Sequence, residues 1–235
     1  MTADTIAPGI TRVPTSRGDR DNAFLVAGDD GFTLVDMGWA GAPAAVTSAL
    51  AGLGRRAGDI RRIVITHAHP DHVRGLAEIR RRTGARLLIH AADASWLQRG
   101  RVPAGGRACS FGKILDAMPL LHWTPATPDA TVADGDLIAG SGGLRVIHTP
   151  GHTPGHVVLV HEPTQTLLTG DAVLHRGPAP RQSPDALSCD PAARDASLAR
   201  LPADVKAVGF AHGPPLTGTR VEQYQAWLDA ARKVR

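Results

Sequence analysis

Residues 63–76 concentrate side chains that bind metal ions. An apolar run, 63–65, leads into three histidines and one aspartate within six residues, and an amphipathic segment follows. The four polar residues are His67, His69, Asp71 and His72. Imidazole and carboxylate groups are ligands of borderline divalent metals, Zn²⁺ above all. This stretch predicts a metal site, and the alternative is a polar strand-to-helix turn that happens to be rich in histidine.

The spacing within this stretch favours two ions rather than one. His67 and His69 are two residues apart, so at the end of a strand they point to the same side and can close on one ion. Asp71 and His72 fall on the turn that opens the next segment and face a neighbouring point. One short loop therefore offers two pairs of ligands.

Three later positions supply the ligands that such a loop lacks. His152, Asp171 and His212 each follow a predicted strand and lie beside glycine or proline, where the backbone turns sharply. A bridging aspartate holds two cations about 3.5–4 Å apart in two-metal hydrolytic sites. The predicted ligand set is His67, His69, Asp71, His72, His152, Asp171 and His212.

The bulk composition describes a globular protein with a sizeable core. The chain has 235 residues, 43% of them hydrophobic and 20% charged. No apolar run approaches the roughly 20 residues that span a bilayer. The N-terminal residues lack the basic and apolar regions of a secretory signal. We therefore expect a cytoplasmic protein with no membrane partner.

Charge and cysteine content exclude further classes. The net charge of +4 comes mostly from scattered arginines without interleaved aromatic residues, so a solvated surface is expected rather than a nucleic-acid interface. Cys109 and Cys189 have no metal-ligand spacing, and a reducing compartment is the simpler expectation. We expect a small-molecule substrate; the sequence does not indicate the oligomeric state.

Periodicity and turn residues predict alternating strands and helices around these loops. The helix at 73–82 is expected to begin with Asp71 as its N-cap and to stop at Gly84. Strands are expected at 10–14, 22–27, 31–36, 59–66, 86–90, 144–148, 157–160, 166–169 and 205–210, and helices at 42–53, 73–82, 190–201 and 220–234.

Residues 91–128 interrupt this rhythm. Apolar residues such as Trp96 and Phe111 are separated by proline and glycine, and no long period emerges. We interpret this segment as a helical flap inserted into a single domain spanning 1–235. The segment either forms an apolar wall of a substrate pocket or is packed on the domain with a structural role alone.

The motif His67-Ala68-His69-Pro70-Asp71-His72 resembles the His-x-His-x-Asp-His signature of the metallo-β-lactamase-fold metallohydrolase superfamily. His152 after Thr149-Pro150-Gly151, Asp171 after Gly170, and His212 before Gly213 resemble the family's later ligands. The resemblance runs from the first hairpin to His212. It implies an α/β (α+β) fold, a four-layer αβ/βα sandwich with the site along one edge of two facing sheets.

The resemblance also implies roles for individual residues. It assigns His67, His69 and His152 as ligands of one ion. It assigns Asp71, His72 and His212 as ligands of the other ion, with Asp171 bridging the two. Two zinc ions are expected, with iron or manganese as alternatives. A hydroxide shared by the two cations would attack the substrate, and Asp71 would orient it and handle its proton.

Several further residues are expected near this site. His156 and Asp36 are candidates for contacts that support the ligands rather than for ligation. His175, Trp96 and Phe111 are candidate substrate-binding residues. His90, His122, His148 and His161 are expected to be ordinary histidines.

Departures from subfamily patterns narrow the expected substrate. β-Lactam-opening members commonly have a cysteine at the position of Asp171, and lactonases a tyrosine at that of Leu174. Glyoxalase II-like thioesterases share the whole ligand set but carry a C-terminal glutathione-binding domain, and 23 residues follow His212 here. Nucleases of this fold normally add a further domain.

We therefore predict a dinuclear hydrolase of a small ester, thioester or lactone. The alternative from another class is an oxidoreductase resembling the mononuclear iron persulfide dioxygenases, suggested by residues 170–177. Those enzymes usually continue with Cys-Gly-Arg, whereas this chain has Pro178-Ala179-Pro180-Arg181. A non-catalytic metal-binding module is a further alternative, although such proteins usually lack one or more ligands.

Overall fold

The computed structural model describes residues 2–18 and 20–233. Strands within these residues are β1 (Asp4–Ala7), β2 (Ile10–Pro14), β3 (Asn22–Gly28), β4 (Gly31–Val35), β5 (Ile60–Ile65), β6 (Arg86–His90), β7 (Ala130–Val132), β8 (Leu144–His148), β9 (Val157–His161), β10 (Thr166–Leu168), β11 (Ala207–Gly209) and β12 (Leu216–Thr217). Helices are α1 (Ala42–Gly52), α2 (Pro70–Val73), α3 (Leu76–Thr83), α4 (Ala91–Arg99), α5 (Ser110–Asp116), α6 (Pro191–Ser197) and α7 (Glu222–Lys233).

The strands form two sheets. The first has the order β1-β2-β3-β4-β5-β6-β7, antiparallel up to β4 and parallel from β4 to β7. The second has the order β12-β11-β10-β9-β8, with β10 and β11 parallel and the other pairs antiparallel. Parallel strands place their carboxyl ends at one edge of a sheet. The loops after β4 and β5 therefore emerge side by side.

Three apolar clusters define four layers. Phe24 and Val64 of the first sheet pack against Val146 and Leu159 of the second. The outer face of the first sheet packs on α1, α3 and α4, and that of the second on α7 and the turn after α6. The carboxyl-terminal half of β5, residues 63–65, is a continuous apolar run because both of its faces are covered. The predicted αβ/βα sandwich is confirmed.

Most predicted elements lie within two or three residues of the observed ones, but the helix at 73–82 was wrong in its start. The chain first makes the single turn α2, with Pro70 in its first turn, and α3 begins only at Leu76. Asp71 lies inside α2 and does not cap a helix, because proline fixes the start one residue earlier. Its carboxylate is free to face the site.

The segment predicted as a flap divides into two parts. Residues 91–99 form the regular helix α4, whose Trp96 and Leu97 are buried in the core beneath the first sheet. In α5, by contrast, Phe111 and Ile114 are 62% and 66% exposed. The first part is packed structure and the second presents apolar side chains to solvent. Within the described residues, no helix combines the length and hydrophobicity needed to span a membrane.

Candidate metal centre

The candidate ligands come together from both sheets. His67, His69, Asp71 and His72 lie in the loop and single helical turn after β5 of the first sheet. His152, Asp171 and His212 follow β8, β10 and β11 of the second sheet. All of them except Asp71 are buried. The site therefore spans the junction between the two sheets.

The first ligand group consists of His67, His69 and His152. One nitrogen from each ring lies within 4.8 Å of the others. His69 Nδ1 and His152 Nε2 are 2.9 Å apart. Two neutral imidazole nitrogens at this distance need a proton or a cation between their lone pairs. This group has the three-nitrogen composition of a zinc site with an open position.

The second ligand group consists of Asp71, His72 and His212, which also meet within 4.8 Å. His212 Nε2 is 3.5 Å from Asp71 Oδ2, and His72 Nε2 is 4.0 Å from Asp71 Oδ1. The side chain of Asp71 is 27% exposed, so solvent reaches the second group at this carboxylate.

Asp171 lies between the two groups and presents a different oxygen to each. Its Oδ2 is 3.3 Å from His152 Nε2 of the first group. Its Oδ1 is 3.3 Å from His72 Nε2 and 3.0 Å from His212 Nε2 of the second group. A carboxylate placed in this way can bind one cation with each oxygen.

Burial and charge divide the two groups electrostatically. Burial lowers the pKa of His67, His69 and His152 well below the ordinary value, and neighbouring positive groups lower the pKa of His67 and His69 further. These rings are neutral near pH 7, the form in which histidine binds metal.

In the second group, nearby carboxylates outweigh burial. Burial alone would lower the pKa of His72 and His212, but Asp36 and Asp171 raise the pKa of His72 well above its usual value, and Asp171, Asp21 and Asp71 raise that of His212 to about 10. Burial acts against ionisation of Asp171, yet these two histidines hold its pKa well below the ordinary value.

Asp36 fixes the orientation of His72. It follows β4 with φ 57°, a left-handed conformation that is uncommon for a non-glycine residue. Its carboxylate accepts hydrogen bonds at 2.8 Å from the amide and hydroxyl of Thr66 and at 2.9 Å from His72 Nδ1. With its proton on Nδ1, His72 directs the lone pair of Nε2 into the site. The predicted supporting contact of Asp36 is confirmed.

Asp21 supports His212 from the other side. Its Oδ1 lies 3.0 Å from His212 Nδ1, and the backbone carbonyl of Arg20 lies 2.7 Å from the same nitrogen. Arg176 also approaches this nitrogen at 2.7 Å. Two acceptors face Nδ1, so we assign one proton to it, and Nε2 is the nitrogen that faces Asp171 and would lose its proton to a cation.

Two buried residues hold the ligand loops. Asp93 accepts hydrogen bonds from the Ala68 amide at 3.0 Å, the Thr153 hydroxyl at 2.7 Å and the Gly155 amide at 2.6 Å, and burial raises its pKa. It thereby joins the His67–His69 loop to the one after His152. The sequence analysis missed this role, because Asp93 lies inside the segment assigned to the flap and carries no motif.

His156 holds the backbone of the bridging residue. Its Nε2 accepts a hydrogen bond from the Asp171 amide at 2.9 Å, and its Nδ1 lies 2.8 Å from the Thr149 hydroxyl. Burial lowers the pKa of His156 to about 4, so the ring stays neutral and can accept this bond. Gly170 has φ 48°, and a Cβ there would lie 2.7 Å from His156 Nε2. The expectation of a structural or supporting role is met.

A cleft of about 140 Å³ opens onto the ligands. Its walls combine His69, Asp71, His152 and Asp171 with Trp39, Arg107, Leu115, Asp116, Leu121 and Leu187. Arg107 is buried and donates to Asp116 at 2.7 and 3.1 Å and to the Leu187 carbonyl. Arg107 was not predicted; no spacing in the sequence links it to the ligands.

The three predicted substrate-binding residues lie in different environments, and their roles stay predictions. Trp96 is buried, with its ring centroid 6.2 Å from that of His69. His175 is buried on Phe210 and its Nδ1 donates to the Pro214 carbonyl at 2.7 Å. Phe111 faces solvent on α5 and is not among the described residues that line the cleft.

The residues present fit a metal cofactor. His67 Nε2, His72 Nε2 and Asp171 Oδ1 are buried and have no hydrogen-bond partner among the described residues. Orphaned buried polar atoms of this kind are costly unless a ligand satisfies them. Their clustering, together with the nitrogen and oxygen donor set, supports a metal cofactor here.

Comparison with known proteins agrees with this geometry. The family model of the metallo-beta-lactamase superfamily matches residues 17–212. The chain belongs to the metallo-beta-lactamase superfamily. It is 34% identical over 158 residues to a hydroxyacylglutathione hydrolase from Cereibacter sphaeroides, with 66% of this chain and 49% of that protein covered. It is 33% identical over 164 residues to another from Acidiphilium cryptum, with 69% and 49% covered.

A structural likeness supports the fold. The native FEZ-1 metallo-beta-lactamase from Legionella gormanii superposes with a TM-score of 0.76 at 18% identity, covering 100% of this chain and 94% of that one. The chain spans about half the length of the curated relatives named above.

Proposed function

We propose that this metallo-beta-lactamase superfamily member is a dinuclear hydrolase that cleaves a small ester, thioester or lactone, with two zinc ions as the native cofactor. The observation that carries the proposal is the position of Asp171. Its two oxygens lie within 3.3 Å of ligand nitrogens from different groups. A site for one ion would not need a buried carboxylate divided between two sets of histidines.

The chain supplies binding sites for the cations and a group that handles protons. When bound, a pair of divalent cations lowers the pKa of coordinated water and polarises a substrate carbonyl. Asp71 lines the cleft and is partly exposed, and its Oδ1 is 4.0 Å from His72 Nε2. This oxygen is free to accept a proton from the nucleophile and to return it to the leaving group.

The cleft favours a small reacting group. A volume of about 140 Å³ is below the roughly 300 Å³ at which pockets that enclose drug-sized ligands begin. The carbonyl and its nearest substituents fit there, and the rest of a larger substrate would extend beyond the rim. Thioesters are favoured among the three substrate types because the relatives named above are hydroxyacylglutathione hydrolases.

The test combines metal analysis with a substrate panel. Protein purified without added metal is analysed by elemental mass spectrometry and assayed with uncharged and charged thioesters, aryl esters and lactones. We expect about two zinc ions per chain and activity that chelation removes and zinc restores. About one iron ion with oxygen uptake on glutathione persulfide would instead establish the dioxygenase alternative. Activity that survives complete metal removal would contradict the proposal.

A further inference from the structure

A second concave surface lies on the outer side of the flap, and nothing above assigns it a role. This cationic groove has a volume of about 460 Å³, and its polar lining consists of Arg99, Arg101, Lys113, Asp116 and His122. The rest of the wall is made of small apolar residues between 102 and 117. It is the larger of the two cavities that border α5.

The positive charges of the groove are not neutralised by the protein. Among the residues that the structure describes, no carboxylate lies within ion-pair distance of Arg99, Arg101 or Lys113. The one carboxylate in the groove, Asp116, is bound to Arg107 through two hydrogen bonds. Three cations around one concave surface favour an anionic ligand.

His122 gives an independent indication of a ligand. Its Nε2 is shielded from solvent and has no hydrogen-bond partner among the described residues. A buried ring nitrogen without a partner carries a desolvation cost that a bound acceptor or donor would remove. The side chain of His122 lines the same groove as the three cations.

Helix α5 and the turn after it separate the groove from the cleft. Lys113 lines the groove and Leu115 lines the cleft, while Asp116 lines both. The same alternation recurs after the helix, where Leu121 lines the cleft and His122 the groove. The wall is one helix thick, which is about 10 Å with side chains.

We propose that the cationic groove binds the anionic end of the leaving group of a substrate whose scissile carbonyl lies in the cleft. This inference rests on the proposed hydrolase function and narrows it. The substrates are thioesters or esters in which phosphate or carboxylate groups lie about 10 Å or more from the reacting bond, since the leaving group has to pass a helix. Arg99, Arg101 and Lys113 bind the anion, and the side chain of His122 contacts the same part of the molecule.

The test compares charged and uncharged thioesters on the metal-loaded protein. The probes are acetyl-coenzyme A, which carries phosphates, S-lactoylglutathione, which carries carboxylates, and S-acetyl-N-acetylcysteamine, which has no charge. The variant combines Arg99→Gln, Arg101→Gln and Lys113→Gln. For the charged thioester that the protein prefers, we expect KM to rise about tenfold with kcat unchanged, because three exposed charge contacts are lost. Kinetics on the uncharged thioester stay the same.

A matched control removes the same charge elsewhere. Arg55→Gln, Arg81→Gln and Arg220→Gln combine three exposed arginines that line neither the groove nor the cleft. This control should leave KM for the charged probe unchanged. Equal losses in both triple variants would contradict the proposal, as would a wild-type preference for the uncharged thioester. Preference for one charged probe over the other identifies phosphate or carboxylate as the anion.

These experiments distinguish a wrong hydrolase function from a wrong assignment of the groove as an anion site. If none of these thioesters and none of the aryl esters and lactones of the substrate panel is hydrolysed, the proposed function is wrong, and calorimetry with free coenzyme A and reduced glutathione then tests whether the groove binds anions. Binding that the groove variant loses and the control keeps would support an anion site. No binding to the wild-type protein would overturn it.

Discussion

The two ligand groups are joined by Asp171 but differ in their surroundings. The histidines of the first group face other imidazoles and, through Arg107, a positive charge, and burial keeps them neutral. The histidines of the second group face Asp36, Asp21 and Asp71 and hold protons tightly. One group therefore offers lone pairs at neutral pH, while the other carries protons that a cation has to displace.

This difference predicts an order of occupancy. Metal binding releases protons from ligands that hold them, so affinity falls where the ligands are protonated. The first group needs no proton release at neutral pH, whereas the second must lose those on His72 and His212. We expect the first group to fill first, and the predictions below test this contrast.

The largest effect is expected from the residue that the two groups share. Asp171→Ala removes the carboxylate that lies between the two groups and that faces Nε2 of both His72 and His212. We expect kcat/KM to fall on the order of a thousandfold and both ions to be lost in elemental analysis. Asp204→Ala, at an exposed aspartate, is the control. If the Asp171→Ala protein retained both ions, the assignment of Asp171 to both groups would be wrong.

The protonated state of the second group predicts a pH dependence of the metal-free fold. The pKa of His212 is raised to about 10 in the folded chain, above its unfolded value. Its contribution is therefore fully present below about pH 6.5 and is lost as pH rises through 10. We expect chelated protein to lose on the order of 5 kcal/mol of unfolding free energy across this window. Denaturant titrations of His212→Asn should show a correspondingly flatter profile; equal slopes would contradict the assignment.

Single-ligand variants should separate the groups. His69→Ala removes a nitrogen of the first group, and His212→Ala removes one of the second. Each should weaken one ion by about a hundredfold and leave the other in place. Titration with Co²⁺, followed by its absorption spectrum, measures both steps. If both variants lost the same step, the division into two groups would be wrong.

The smallest effects should come from the residues behind the ligands. Asp21→Asn weakens the support of His212, and Asp93→Asn weakens that of the loops carrying His69 and His152. We expect about a tenfold loss of affinity, at the second step for Asp21→Asn and at the first for Asp93→Asn. Asp134→Asn, which breaks an exposed pair with Arg200, is the control. The same metal titration reports all three.

The ligand loops were predictable from the sequence because their chemistry is local. Three histidines and an aspartate within six residues, followed by isolated His or Asp residues at strand ends, leave few structural alternatives. Strands β2, β6 and β8 were predicted with the observed bounds because apolar runs end at clear turn residues. The sandwich followed from the family resemblance rather than from these patterns.

The supporting residues were harder to predict because their roles depend on tertiary contacts. Asp93 and the loops it joins are separated by about 25 and 60 residues, and an aspartate in the first turn of a helix is common. Arg107 pairs with Asp116 within the flap, but its contact with the Leu187 carbonyl joins residues 80 positions apart. Pro70 begins the separate turn α2, and α3 starts at Leu76, three residues after the predicted start at 73; this boundary error has a local origin.

Because the centre spans both sheets, a metal ion bound there would stabilise the fold. His67 and His152 are about 85 residues apart and meet only when the two sheets are packed together. An ion that bound both would close that length of chain as a covalent cross-link does, which restricts the unfolded ensemble by about 4–5 kcal/mol in chain-entropy terms. Both cysteines are free thiols. A bound ion would thus act as a reversible cross-link, and the lifetime of the folded state would depend on the concentration of free metal.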